Sequence, residues 1–416
     1  MKNQDFSIFA MKGMVIRVGK QVDSTLIRDY GRLKKRQRRI RNIILVLIIS
    51  SLALGISIYI FLLYHKNYES YQILSSETIA GDNSSKFINY NGGVIKYNKD
   101  GAIAYDKDGK LLWNGSYEMK DPVADVCEDY LVVADRGNKL IHIFNEKGFV
   151  SSIITLYDII KVEVARQGVV AVLMESGGSS YVKLYYEEGT IVSDSNEEGV
   201  LSEIVTRVEE AGYPIDFALS DDGRKLVISF LSFTSGKLVS TVGFYNFGKV
   251  GQNNIDRFVG GFEHEEVVVP KVSFIGNNTV SVFMENGFEL YSMLEKPELV
   301  YEEVFEQKIH SVFTGEDHVG FVLDETDSVL KQLYLYDKNG KELMKEKLDF
   351  AYDQIYMLKD EIILHDNLST LILKASGREK FRYTFDYNVE GVYPINNLDK
   401  YYLVTSSEIL RIQLVD

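Results

Sequence analysis

The chain has 416 residues, 46 Lys and Arg against 60 Asp and Glu, and a net charge of −14, enough for one large domain or two or three ordinary ones. With 45% hydrophobic and 25% charged residues it is neither disordered nor collagen-like. Its single cysteine, Cys127, excludes an intramolecular disulfide framework and a zinc site built from several thiolates.

The charge is unevenly held. Residues 1–42 carry 12 basic and 3 acidic side chains, a balance of +9, which leaves −23 for the remainder. Phe6, Ile8, Phe9, Met14, Val15, Ile16 and Val18 are too few to bury a core, so residues 1–30 read as a tail or a short docking segment. Arg32, Lys34, Lys35, Arg36, Arg38, Arg39 and Arg41 then crowd the approach to Ile43–Tyr64, 22 residues without a charge. At about 1.5 Å per residue such a helix is about 33 Å long, enough for a hydrocarbon core of about 30 Å. The far flank, His65–Ser70, offers only Lys66. The positive-inside bias predicts a single-pass signal anchor in a plasma membrane, with residues 1–42 cytosolic and topology set by those seven Lys and Arg. Residues 65–70 form a short linker and residues 71–416 lie outside. The long leader and the bulky Leu62-Leu63-Tyr64 end argue against a cleaved signal peptide.

Beyond the anchor, short Val/Ile/Leu/Tyr/Phe runs alternate with Gly, Asn and Asp turns, and the whole chain has only 5 prolines. This is an all-β pattern. Apolar strands begin near Val94, Val132, Val170, Val227, Val280, Gly320, Ile363 and Leu403. Further strands follow in each copy, such as Ile141–Phe144 and Leu333–Tyr336, with Ile160–Ala165 or Gln354–Leu358 leading into the next. Four strands per period of roughly 40 residues describe a β-propeller. The last copy supplies two strands, and Tyr71–Ile79 reads as its missing outer strand, closing an eight-bladed ring from both termini. A seven-bladed ring is the alternative if one irregular copy is an insertion. In the first irregular copy, Ser195-Asn-Glu-Glu198 resembles a capping box ahead of Val200, Leu201, Ile204, Val205, Val208 and Ala211, predicting a helical insertion over about 196–211. The second contains a polar loop, Gly248–Asp256.

Turns such as Asp106-Lys-Asp-Gly109 and Asp337-Lys-Asn-Gly340 fit tight hairpins. A calcium loop needs a downstream bidentate acid at fixed spacing, which these lack. Tyr105-Asp-Lys-Asp-Gly-Lys-Leu-Leu-Trp113 resembles the blade repeat of quinoprotein-like propellers, and Tyr336–Leu343 is a weaker copy. With the anchor and the eightfold count, the chain looks like a member of an uncharacterised family of membrane-anchored, quinoprotein-like propellers from Gram-positive bacteria. That resemblance implies an eight-bladed fold and no established activity. Quinoprotein dehydrogenases hold their cofactor against a disulfide of adjacent cysteines, which one cysteine cannot form, and Trp113 is wanted for docking blades.

Little else in the sequence carries chemistry. The six histidines, His65, His142, His264, His310, His318 and His365, show no zinc-hydrolase spacing, and no nucleophile elbow, P-loop or dinucleotide fingerprint occurs. Glu263-His-Glu-Glu266 reads as a loop of solvated charge, and Cys127 as a small apolar residue on an inner strand. No catalytic, cofactor-binding or metal-binding residue is assigned. An exterior at −23 repels nucleic acid and attracts basic partners. The expected function is a non-catalytic binding or scaffolding module for membrane-bound or envelope proteins. A transmembrane sensor signalling through residues 1–42 is the alternative. A glycan or small-molecule enzyme using carboxylates from different blades comes third.

Overall fold

The computed structural model describes residues 24–64, 66–79, 84–186, 192–193, 200–207, 211–234, 236–325, 330–396 and 398–416. The chain divides into two units, Met1–Lys66 and Asn67–Asp416. Among the described residues the first contains one helix, α1 (Ser24–Tyr64), continuous over 41 residues. Its stretch Lys35–Phe61, 27 residues, is long and apolar enough to cross a membrane. Arg32 and Lys34 lie in α1 ahead of this stretch, and Lys35, Arg36, Arg38, Arg39 and Arg41 are exposed on it.

The second unit is an all-β propeller of eight sheets among the described residues. Each sheet is built on four antiparallel strands running from the axis outward, consecutive in the chain in six of the eight. The innermost strands are Lys86–Tyr90, Pro122–Cys127, Asp158–Val164, Tyr213–Leu219, Lys271–Ile275, Ile309–Thr314, Gln354–Leu358 and Gly391–Pro394, defining blades 1 to 8 in that order. Alternation puts one face of each strand against the blade before it and the other against the blade after. Eight apolar clusters result, one at each interface. Val132 and Ile143 of blade 2, for example, bury against Val162 and Val172 of blade 3.

Blade 8 is closed by the other end of the chain. Ser70–Thr78 pairs antiparallel with Glu408–Val415, so the expected outer strand is present and covers an otherwise open edge. The 65–70 linker is shorter than expected. Tyr68 is buried and bridges Phe381, its N–H donates to Lys380 O at 2.9 Å, and Ser70 already belongs to the closing strand.

The helix expected over 196–211 is corrected. Val200–Arg207 is a strand, the outermost of blade 3, paired with Ser179–Tyr185. Ile204 is buried between exposed Glu203 and Val205, a period of two that the i, i+4 apolar spacing disguised. The ladder satisfies a full row of backbone groups on an edge that a helix would leave open. Residues 194–199 and 208–210 lie outside the described residues. Val192–Ser193 adds a fifth strand to blade 2, parallel to Ile153–Ile154.

The Asp-x-x-Gly turns are hairpins that dock neighbouring blades. Asp337 Oδ1 accepts the N–H groups of Asn339 and Lys341 at 2.8 and 2.9 Å, and Asp106 Oδ1 accepts those of Asp108 and Lys110 at 2.9 Å. Gly340 has φ +82°, and a Cβ on it would stand 2.0 Å from the ring of Tyr301 on the outer strand of blade 5. Gly148 likewise lies under Trp113 of blade 1, whose ring stacks on Phe144 of blade 2 at 4.9 Å. Trp113 is thus the blade-docking residue expected of it.

Candidate functional site

The innermost strands surround an axial channel, and each presents one unpaired edge to it. Side chains latch these edges from blade to blade. Val164 N–H donates to Asp125 Oδ2 at 2.8 Å, Leu219 N–H to Glu163 Oε2 at 2.7 Å and Val272 N–H to Asp216 Oδ2 at 3.0 Å, linking blades 2 to 5. Ser273 Oγ meets Thr314 Oγ1 at 3.4 Å, and Tyr352 OH donates to Ser311 Oγ at 2.9 Å. Tyr356 OH donates to Val392 O at 2.7 Å and accepts from Val392 N at 3.2 Å. Tyr393 OH donates to Phe87 O at 3.1 Å, and Lys86 Nζ to Pro122 O at 3.0 Å, completing the ring. Such bonds satisfy groups that would otherwise be buried without partners.

The channel has two unlike sides. Blades 2 to 5 bring charge: Lys161 Nζ lies 2.6 Å from Asp216 Oδ1 and 2.8 Å from Glu163 Oε1. Burial alone would lower the Lys161 ammonium, but Glu163 and Asp216 outweigh it and hold it above its usual range. Burial, reinforced by the charge of Glu163, pushes the Asp125 carboxyl up to about 7. Glu163 is also raised by burial, against the pull of Lys161.

Blades 6 to 8, 1 and 2 instead enclose a cavity of about 560 Å³. Its walls are the rings of Phe87, Tyr356 and Tyr393 and the aliphatic Ile88, Val126 and Leu358, with the amides of Asn89, Asn91 and Gln354 and the carboxylates of Glu128 and Glu316. The rings of Tyr356 and Tyr393 lie 6.1 Å apart at 20°, held there by the latches of their hydroxyls. Glu128 sits in a left-handed turn, φ +48°, uncommon for a residue of its kind. Beside it, burial and the charges of Glu128, Asp222 and Glu316 hold Asp221 above the usual carboxylate range, with Arg166 opposing.

Residues 64–414 match the model of DUF5711, a family of unknown function. The chain belongs to the DUF5711 family. Among solved structures, this DUF5711 chain is similar to Saccharomyces cerevisiae Sqt1, at 13% identity and a TM-score of 0.53 over 84% of this chain and 100% of that one. It is also similar to a eukaryotic initiation factor, at 11% identity and a TM-score of 0.51 over 83% and 87%. At these identities the likeness shows the fold alone. No curated protein matches the chain.

The residues singled out in the sequence of this DUF5711 protein fall apart in space. Glu263–Glu265 belongs to a strand, Phe258–Glu265, the outermost of blade 4, and not to a loop. Its alternation turns His264 inward, where Nε2 lies 2.9 Å from Glu289 Oε2 of blade 5. Burial alone would raise Glu289, but hydrogen bonds from His264 and Tyr291 outweigh it and lower its carboxyl. Cys127 ends the inner strand of blade 2, half-buried. Burial and the neighbouring Asp221 push its thiol up to about 12, so it stays protonated and a poor nucleophile.

A second buried charged group was missed from sequence. Glu361 accepts from Lys374 at 2.7 Å, Lys380 at 2.5 Å and Tyr401 OH at 2.5 Å, and Lys380 also donates to Tyr401 OH at 2.6 Å. It lies between blades 7 and 8, beside the entry of Tyr68. Burial lowers Lys380 to about 8 despite Glu361.

Proposed function

We propose that this chain is a non-catalytic binding module, anchored in a plasma membrane by α1 with residues 1–42 in the cytosol, whose propeller engages membrane-bound or envelope proteins outside. The observation that carries this reading is the axial cavity, a concave and preformed surface whose tyrosine hydroxyls are already committed to backbone partners. Rings fixed in that way offer faces for recognition at little ordering cost. The seven Lys and Arg that precede the uncharged run Ile43–Tyr64 within α1 support the orientation.

A photo-crosslinking residue placed at Asn91, on the cavity rim, tests the reading in intact cells. Capture of an envelope protein from Asn91, but not from Leu299 on the outer strand of blade 5, is expected; no capture above background at Asn91 rejects it. Orientation is read in a Cys127→Ala background with a membrane-impermeant thiol reagent. Glu298→Cys should label from outside and Lys12→Cys should not.

The unbroken course of α1 from Ser24 through its apolar stretch favours a second reading, a sensor in which a continuous helix carries a shift between its ends. A deletion of residues 2–30 that leaves every localisation and transcriptional phenotype intact removes that reading. An enzymatic role would draw on Asp125, the channel carboxyl held near 7. In a non-catalytic module, Asp125→Asn leaves partner capture unchanged.

A further inference from the structure

We infer that the channel cavity takes a cationic side chain, a lysine ammonium or arginine guanidinium presented on a protruding turn of the partner. The inference rests on the binding reading above and names the chemistry of that site. Three observations converge on it. The cavity of about 560 Å³ has room for a turn with its side chain, within the usual range of ligand pockets. Its rings are those of Phe87, Tyr356 and Tyr393, and both tyrosine hydroxyls are bound elsewhere, to Val392 and Phe87 backbone. What they offer an occupant is therefore the electron-rich face, which attracts cations, most strongly where water is displaced.

The rim then selects the sign of charge. Glu128 and Glu316 line the cavity and are both exposed, and among the described residues no hydrogen bond consumes either carboxylate in the way that Val164, Leu219 and Val272 consume the acids of blades 2 to 4. Asp221 adds negative charge beside them, with Arg166 opposing it from blade 3. Lys359 stands on the corresponding turn of blade 7 but does not line the cavity. An anionic occupant meets like charge, and a purely apolar one strips water from carboxylates without replacing it. A cation satisfies both walls, and the −23 carried beyond residue 42 steers it in. The same chemistry is found in a free diamine, so the test separates the two sources.

The experiment uses the full-length chain in lipid nanodiscs and a fluorescent peptide, Gly-Gly-Lys-Gly-Arg-Gly-Gly, with a counterpart carrying Glu in place of Lys and Arg. The basic peptide is expected to bind and the acidic one not. Glu128→Gln with Glu316→Gln should weaken binding about tenfold or more. Glu298→Gln with Glu302→Gln, which removes the same charge from the exposed outer strand of blade 5, should change it by less than about twofold. Phe87→Leu keeps both carboxylates and should also weaken binding. Melting curves identify any variant that fails to fold, and for such a variant competition by unlabelled peptide on the parent chain replaces it. Equal weakening by both acid pairs overturns the inference, since attraction would then be diffuse. Tighter binding of 1,5-diaminopentane than of the peptide, at the same site, overturns the partner-borne source. Capture from Asn91 without any cation binding sinks this inference alone, whereas loss of both sinks the binding reading with it.

Discussion

Glu163, on the innermost strand of blade 3, reaches blade 4 through one oxygen and its own strand through the other: Oε2 accepts Leu219 N–H of blade 4 at 2.7 Å, and Oε1 holds Lys161 Nζ at 2.8 Å. Glu163→Gln keeps an acceptor for the amide, whereas Glu163→Leu leaves a buried donor unmatched. The leucine variant should lose about 3 kcal/mol and the glutamine variant about 1 kcal/mol, seen as a larger fall in apparent Tm by Trp113 fluorescence. Equal falls would mean that the latch contributes nothing beyond charge.

Asp125 sets a pH dependence. Its folded value of about 7 lies above an unfolded value of about 4, so the folded chain holds the proton more tightly. The stability it contributes is complete below about pH 4 and is lost as pH rises through 7. Asp125→Asn still offers an oxygen to Val164 N–H and cannot ionise. The Tm of the variant relative to the parent should therefore climb from pH 5 to pH 8. A flat difference would show Asp125 ionised throughout that range.

The Glu361 group between blades 7 and 8 is buried, with Glu361 1% and Lys374 and Lys380 each 2% exposed. Glu361→Gln leaves two ammonium groups without their shared carboxylate and should cost about 3–5 kcal/mol. Tyr401→Phe removes one hydroxyl and should cost about 1–2 kcal/mol. Denaturant midpoints for the two variants check the order, and a milder glutamine variant would contradict the charge pairing.

Two glycines share a left-handed backbone but not a neighbourhood. Gly137, φ +75°, has nothing within 4 Å of an added Cβ, while Gly340, φ +82°, faces the Tyr301 ring. Gly137→Ala should cost about 1 kcal/mol from backbone strain alone. Gly340→Ala adds displacement of a docked ring between blades 5 and 6 and should cost clearly more. Matching losses in thermal melts would show that Tyr301 gives way freely.

Period-two alternation and turn residues made the blades legible, and the closing strand showed as the one apolar run left over before the first full copy. The Val200–Arg207 strand was not legible, because Val200, Ile204 and Val205 satisfy a helical spacing as well, and only the empty place beside Ser179–Tyr185 decides between them. The latches were missed for another reason. Asp125, Glu163 and Asp216 occupy similar places on three successive inner strands, a signal present in the repeat but masked by 60 acids along the chain. The cavity was beyond sequence altogether, since its lining comes from five blades that meet only at the axis.

Closure of the ring also imposes an order on biosynthesis. Gln72 bonds to Gln413, 341 residues away, so the propeller strand that leaves the ribosome earliest waits for the strand that leaves last. Until residue 415 is made, Ser70–Thr78 and the flank of blade 1 are open edges, and pairing across so great a separation is slow. Assembly of this protein thus has a vulnerable interval set by translation time rather than by stability, during which the first strand is open to the wrong partner.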